Sequence, residues 1–375
     1  MSAGDPQKGG RWLALAAGYL MAFLLFELLL RLLTLAPWGT ADFVADPATG
    51  FRQRPGSTIA GNTTNSRGFN DAEPGPKAGR RIGVVGDSFV FSAVPRGADL
   101  VSLVAAQAKP AGVEILNLGI LAAGPENYLG VLEKDGVELE LDAALVVIFV
   151  GNDISQADPH FKTRVFFGAP RAVLRTPWLI RPGIDYIYSV KMIRGGWRLF
   201  REMRNPPEPG GTFSRRIFLE IEKDRLEICR REPAAKVERG YLGMAHFFDR
   251  LESFGRERGI PVAVALAPDQ FQVDGQLAET LLAPEKVAAF DLGLPQERLG
   301  MQLRARNIPY LDLLPRLRRE GVNSTLYLER DSHWNAEGNR LAAESVAEAL
   351  RSWGWLAAPL RAPPGAPLDS PAQGD

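Results

Sequence analysis

The rhythm of apolar and polar positions changes several times along this chain of 375 residues. Trp12 to Trp38 is apolar almost without a break, long enough to cross a bilayer as a helix. Glu27 and Arg31, four residues apart, can pair on one face near the far interface. Lys8 and Arg11 precede the span and favour a cytoplasmic N-terminus. A cleaved signal peptide has a shorter apolar core and an A-x-A site, and neither stands out here. The expectation is an uncleaved single-pass anchor in the cytoplasmic membrane. The remaining chain then lies on the extracytoplasmic side, in the periplasm of a two-membrane cell.

Residues 39–80 form a turn-rich linker, with short extended pieces expected around Asn62 to Phe69 and a Pro/Gly run from Glu73 to Gly79. A different pattern follows. Short apolar runs at 81–85, 113–117, 143–150, 261–267 and 308–311 read as strands. Between and after them, 100–109, 127–134, 236–258, 297–306 and 336–352 carry helical periodicity. The run AALVVIFV at 143–150 is unbroken, as in a strand buried on both faces of a parallel sheet. Alternation of this kind predicts an α/β fold with a parallel sheet covered on both sides. Active residues then gather beyond the C-terminal strand ends.

Residues 158–233 break the alternation with aromatics (Phe161, Phe166, Phe167, Trp178, Tyr186, Tyr188, Trp197, Phe200) and many arginines. That is too long for a connection. It reads as a partly helical insertion, either a packed subdomain or a piece that covers the site or lies against the membrane. The expected organisation is therefore 1–38 tip and anchor, 39–80 linker, 81–355 catalytic-type domain with its insertion, and 356–375 a Pro/Ala/Gly-rich disordered tail.

Lys plus Arg and Asp plus Glu each number 44, so formal net charge is zero and nothing argues for a nucleic-acid partner. A hydrophobic fraction of 46% supports a sizeable core. The single cysteine, Cys229, excludes an intrachain disulfide and reads as a packed thiol in a helical stretch, 218–231. Three histidines without ligand spacing argue against zinc. His246, beside Phe247 and Phe248, reads as a packing residue, and His160 as a surface residue at the start of the insertion.

Candidate chemistry lies in three short blocks. Gly86-Asp87-Ser88-Phe89 follows the first strand, which exposes the Ser88 hydroxyl at the sheet edge and lets its own amide face an oxyanion. It is not a G-x-S-x-G elbow, because position 90 is Val. Gly151-Asn152-Asp153 follows the third strand, and the Asn152 amide can donate to an oxyanion. Asp331-Ser332-His333-Trp334-Asn335 places a carboxylate two residues before a histidine, where it can fix the imidazole tautomer. Asn335 also reads as the cap of a helix beginning at Ala336. A serine nucleophile, His333 as base, Asp331 as its partner and Asn152 as donor are together the parts of acyl transfer.

These blocks resemble the SGNH (GDSL-like) hydrolase superfamily: Ser88 in GDSF, Asn152 in GND and His333 in the last block. The family's glycine block is similar to Asn117 to Asn127, where the expected glycine falls at Ala122 and Gly124 lies two residues on. Ser92 stands where relatives often have glycine, and Arg330 stands at the usual acid position three before His. The D-x-H-W-N form, the anchor and the insertion resemble a bacterial envelope branch related to alginate O-acetylation proteins. The resemblance covers about residues 60–355 and implies a flavodoxin-like three-layer α/β/α sandwich. It implies an acyl-serine on Ser88, with His333 and Asp331 completing the triad. The oxyanion hole would be made by the amides of Ser88 and of Ala122 or Gly124, with Asn152. No metal or organic cofactor is implied.

The expected activity is ester hydrolysis or O-acyl transfer on an acylated envelope glycan or lipid. The competing reading is a binding or assembly protein that keeps the fold without catalysis, supported by Ala122 and the long insertion. A nucleotide or phosphate enzyme is excluded by the lack of GxxxxGK[ST] and GxGxxG.

Overall fold

The structure, a computed structural model, describes residues 6–35, 42–59, 61–159, 161–166, 169–174 and 211–356. Five strands build its central sheet: β5 (Arg80–Gly86), β6 (Val113–Gly119), β7 (Ala143–Phe149), β10 (Val262–Ala267) and β11 (Tyr310–Asp312). All four pairings are parallel, and the spatial order is β6-β5-β7-β10-β11. In chain order that is 2-1-3-4-5, the flavodoxin-like winding, whose switch point lies beside the first strand.

Burial on both faces explains the composition of the central strands. In β7, Ala144, Val146 and Ile148 face one core, while Leu145, Val147 and Phe149 face the other. The first core is closed by helices α4 (Pro125–Val131), α7 (Ala235–Arg258) and α10 (Leu294–Arg304). The second is closed by α3 (Leu100–Ala108), α11 (Leu314–Gly321) and α12 (Ala336–Ser352). Helix α7 buries Tyr241, Met244, Phe247, Phe248, Leu251 and Phe254, an apolar stripe at intervals of three and four, and ends at Gly259 in the left-handed conformation.

Each strand and helix expected from the alternation is present, with ends shifted by a few residues. Helix α12 begins at Ala336, capped by Asn335 Oδ1 accepting from the Gly338 amide at 2.9 Å. Cys229 is buried, in a 3-10 turn after helix α6 (Arg215–Leu226). One expectation is corrected: His246 is exposed and does not pack inward. Met244, Phe247 and Phe248 fix the buried face of α7, and a residue two past Met244 falls on the opposite side.

The stretch expected as an anchor is helical, α1 (Pro6–Leu35), with Trp12, Tyr19, Leu20 and Met21 among its exposed apolar side chains. Among the described residues, no helix is long and apolar enough to cross a membrane. The Arg31 side chain, most of the aromatic insertion (175–210), His160, Phe167 and the tail beyond 356 lie outside the described residues.

The turn-rich N-terminal stretch holds more structure than its composition suggests. Strands β1 (Phe43–Asp46) and β2 (Gly50–Gln53) form an antiparallel hairpin, and β3 (Thr58–Ile59) pairs with β4 (Asn62–Thr63). Phe51 and Phe69 are fully buried in the first core. Arg52 ion-pairs with Asp46 and with Asp135, both at 2.9 Å, and Arg67 reaches Asp135 at 3.2 Å. Within the insertion, β8 (Phe161–Phe166) and β9 (Ala169–Leu174) form an antiparallel pair.

Candidate active site

Strand β5 ends at Gly86, and the chain turns at once into a one-turn helix, α2 (Ser88–Phe91). Asp87 caps it, accepting from the Phe89 amide at 2.9 Å. Ser88 is thus the first helical residue, where amides have no partner within the helix. It sits at the C-terminal edge of β5, at the switch point. Phe89 beneath it stacks on Phe149, ring centroids 4.2 Å apart, and receives the edge of Trp334 at 4.8 Å. This aromatic cluster joins the Ser88 turn to the C-terminal arm that carries His333.

His333 Nε2 lies 2.7 Å from Ser88 Oγ, and His333 Nδ1 lies 2.5 Å from Asp331 Oδ1. The His333 amide also donates to Asp331 Oδ1 at 3.1 Å. Arg330, at φ +49°, bends the chain just before this turn. Burial opposes charge on Asp331, but hydrogen bonds from the His333 ring, Thr212 and the His333 amide hold its carboxyl below the usual value. An ionised Asp331 fixes the proton on Nδ1 and leaves Nε2 to accept from the serine.

Asn152 lies in the first turn of α5 (Val150–Gln156), directly after β7. Its Nδ2 donates to Asp87 Oδ2 at 3.1 Å, which leaves a second N–H for another acceptor. Asp87 is fully buried and its carboxyl is pushed up by that burial, against the Phe89 and Asn152 hydrogen bonds.

The glycine block turns after β6. Ala122 adopts φ +60°, the left-handed region that favours glycine, and is exposed. Among the described residues its amide has no hydrogen-bond acceptor. Gly124 differs: its amide donates to Asn127 Oδ1 at 2.9 Å, as the start of α4. Ser92 also has positive φ, +87°, with its hydroxyl accepting from the Val94 amide at 3.0 Å. At both places where glycine is missing, the backbone keeps the shape a glycine would take. Ala122→Gly should therefore raise stability, by roughly 0.5–1 kcal/mol after the looser unfolded chain is counted. Denaturant midpoints of the two proteins measure it, and a lower midpoint for the variant would contradict it.

Sequence reasoning missed the support behind the triad. Glu222 and Arg225 on α6, Asp269 after β10 and Ser332 cluster there. The Arg225 guanidinium lies over the Phe149 ring at 5.1 Å. A Glu-x-x-Arg spacing reads as a surface ion pair, and nothing local marks it as buried.

A family model described as SGNH hydrolase-like domain, acetyltransferase AlgX, matches residues 231–362, which contain Asp331 and His333. Solved structures similar to the chain include an acetyl xylan esterase, AlAXEase, at 13% identity, covering 73% of this chain and 98% of that one, TM-score 0.37. A lipase/acylhydrolase from Enterococcus faecalis is 14% identical, covering 73% and 96%, TM-score 0.38. A member of the lipolytic protein G-D-S-L family from Veillonella parvula is 14% identical, covering 72% and 97%, TM-score 0.35. No curated protein sequence matches the chain. Over residues 231–362 the chain is thus similar to the SGNH hydrolase-like domain of the acetyltransferase AlgX.

Proposed function

We propose that the protein is a serine ester hydrolase or O-acyltransferase that works through an acyl-serine on an acylated envelope glycan or lipid. The observation that carries this reading is the continuous line from Ser88 Oγ through His333 to Asp331, with contacts of 2.7 and 2.5 Å. Ser88 Oγ attacks the ester carbonyl while His333 Nε2 takes its proton. The tetrahedral oxyanion receives the amides of Ser88 and Ala122 and the free N–H of Asn152. His333 then protonates the leaving alkoxide, and the acyl group stays on Ser88. Water or an acceptor hydroxyl, deprotonated by His333, resolves the acyl-enzyme. Ala122 is assigned as donor in preference to Gly124, whose amide is already bound to Asn127.

The non-catalytic alternative drew on Ala122 in place of glycine. With Ala122 at φ +60° the amide is presented as a glycine would present it, so that substitution no longer favours the alternative. Anchoring through α1, with the site on the extracytoplasmic side, remains part of the proposal; its support is the apolar run Trp12 to Trp38 and the basic residues before it.

Labelling of the purified full chain with a fluorophosphonate tests the reading. Modification of the wild type, absent in Ser88→Ala and in His333→Ala, is expected. A folded wild type that resists the probe as fully as its Ser88→Ala variant would overturn the proposal. Asn152→Ala should lower kcat by about 10²–10³-fold, or about 3 kcal/mol in the barrier, with a smaller change in KM. Steady-state kinetics on an activated acetyl ester reads this, and an unchanged kcat would remove Asn152 from the hole.

A further inference from the structure

Next to the Asp331–His333 arm, in contact with Ser332, two carboxyls meet. Glu222 on α6 and Asp269 at the start of α8 (Gln270–Val273) are both fully buried and lie within hydrogen-bond reach of each other. Each has one oxygen, Glu222 Oε2 and Asp269 Oδ2, with no donor. One guanidinium serves both: Arg225 Nη1 is 3.2 Å from Glu222 Oε1 and 3.8 Å from Asp269 Oδ2. Two ionised carboxylates here would leave one buried negative charge uncompensated and two oxygens facing each other without a hydrogen. A single proton between them removes both problems.

The cluster touches both halves of the site. Ser332, the residue between Asp331 and His333, donates from Oγ to Glu222 Oε1 at 2.7 Å and contacts Arg225 Nη1. On the other side, Gly151 packs so closely on Asp269 that a Cβ there would run into the Asp269 carboxyl. We infer that Glu222 and Asp269 share one proton, and that this neutralised pair positions the Ser332–His333 arm and the Gly151–Asn152 turn against each other. The positioning half rests on the serine reading above; the shared proton does not.

Burial pushes the Glu222 carboxyl up to about 9, with the neighbouring Asp269 charge adding to the rise and Arg225 opposing it. Asp269 is raised by burial too, opposed by Arg225, Glu222 and His333. The other groups facing the pair are the Tyr327 hydroxyl, the Cys229 thiol and, beyond Arg225, Asp87. A carboxyl raised in the folded state contributes stability that is full below its unfolded value of 4.5 and lost as pH rises to about 9.

Glu222→Gln, Glu222→Ala and Ser332→Ala in the full chain test the inference. Unfolding followed from pH 5 to 10 on the Ser88→Ala background reads the proton alone. Across pH 6–8 the parent is expected to hold about one more proton, native against unfolded, than Glu222→Gln does. Equal pH dependence in the two overturns the shared proton, whether or not Ser88 is reactive. On the active background, labelling rate and kcat of the parent should fall as pH passes about 9, whereas Glu222→Gln stays level and within about 3-fold of the parent at pH 7. Glu222→Ala and Ser332→Ala should lose about 10- to 100-fold in kcat with KM within 3-fold. A Glu222→Gln loss as deep as that of Glu222→Ala overturns the inference, since glutamine mimics the protonated acid. A parent that shows the proton difference but takes no label overturns the serine reading, and the positioning half with it.

Discussion

Ser88→Ala and His333→Ala should each lower turnover of an activated acyl ester by on the order of 10⁶-fold, and the double variant should be scarcely worse than either alone. In the proposed mechanism the two groups act as one unit, a hydroxyl 2.7 Å from the ring nitrogen that would take its proton, so removal of either would disable the same step. Asp331→Asn should cost about 10⁴-fold, because an amide in that place stabilises the wrong imidazole tautomer and cannot balance the imidazolium. Asp331 accepts both the His333 ring nitrogen and the His333 amide, so the loss should come with little change in fold. Burst kinetics with a chromogenic ester separates acylation from deacylation. Additive losses in the double variant, approaching the product of the singles, would show that Ser88 and His333 do not work in one step.

Arg52→Ala should be the most destabilising charge change in the N-terminal segment, by about 3–5 kcal/mol. Arg52 joins Asp46 and Asp135, all three nearly out of solvent, and donates to the Arg67 carbonyl at 3.0 Å. Its guanidinium also lies 5.5 Å from the Phe69 ring centroid. Without it, among the described residues Arg67 is the cation left beside Asp135 and Lys134 the cation left beside Asp46, whose Oδ1 still accepts from the Ala48 and Thr49 amides. Removal of one partner of a buried pair leaves the other charge desolvated, which costs more than the pair was worth. Arg52→Met, which fills the space without the charge, should not rescue the loss, whereas Arg52→Met with Asp135→Asn should recover part of it. Denaturant melts of the three variants measure this, and an Arg52→Ala loss under about 1 kcal/mol would mean water reaches the pair.

The sheet was legible because buried parallel strands cannot alternate in polarity, and runs such as AALVVIFV have few other uses. The triad was legible because Asp331 and His333 are neighbours in sequence, and because Ser88 follows a strand whose end defines the site. What sequence hid was of two kinds. The β1–β2 hairpin has only four residues per strand and reads as linker, since its stability comes from Phe51 and Arg52 meeting groups more than 60 residues away. Asp269 reads as an ordinary helix cap, which it also is, with Oδ1 accepting from the Gln270 amide at 2.7 Å. Its second role depends on Glu222, 47 positions earlier, and no local pattern records that distance. The left-handed backbones at Ser92 and Ala122 were hidden for another reason: an L residue there signals departure from a glycine pattern, although the chain bends as before.

The hairpin reaches the turn that carries Ala122 directly. With its amide oriented to satisfy both groups, Gln53 accepts from the Leu121 amide at 2.6 Å and donates to the Gly68 carbonyl at 3.2 Å. Asn127, which holds the Gly124 amide, also donates to the Thr49 carbonyl at 2.6 Å. The smallest piece of this chain able to form the site on its own therefore begins near residue 42, ahead of the hairpin, and not at the first sheet strand near residue 80. A proteolytic nick between those positions would part the hairpin from the site while leaving Ser88, Asp331 and His333 on one intact fragment.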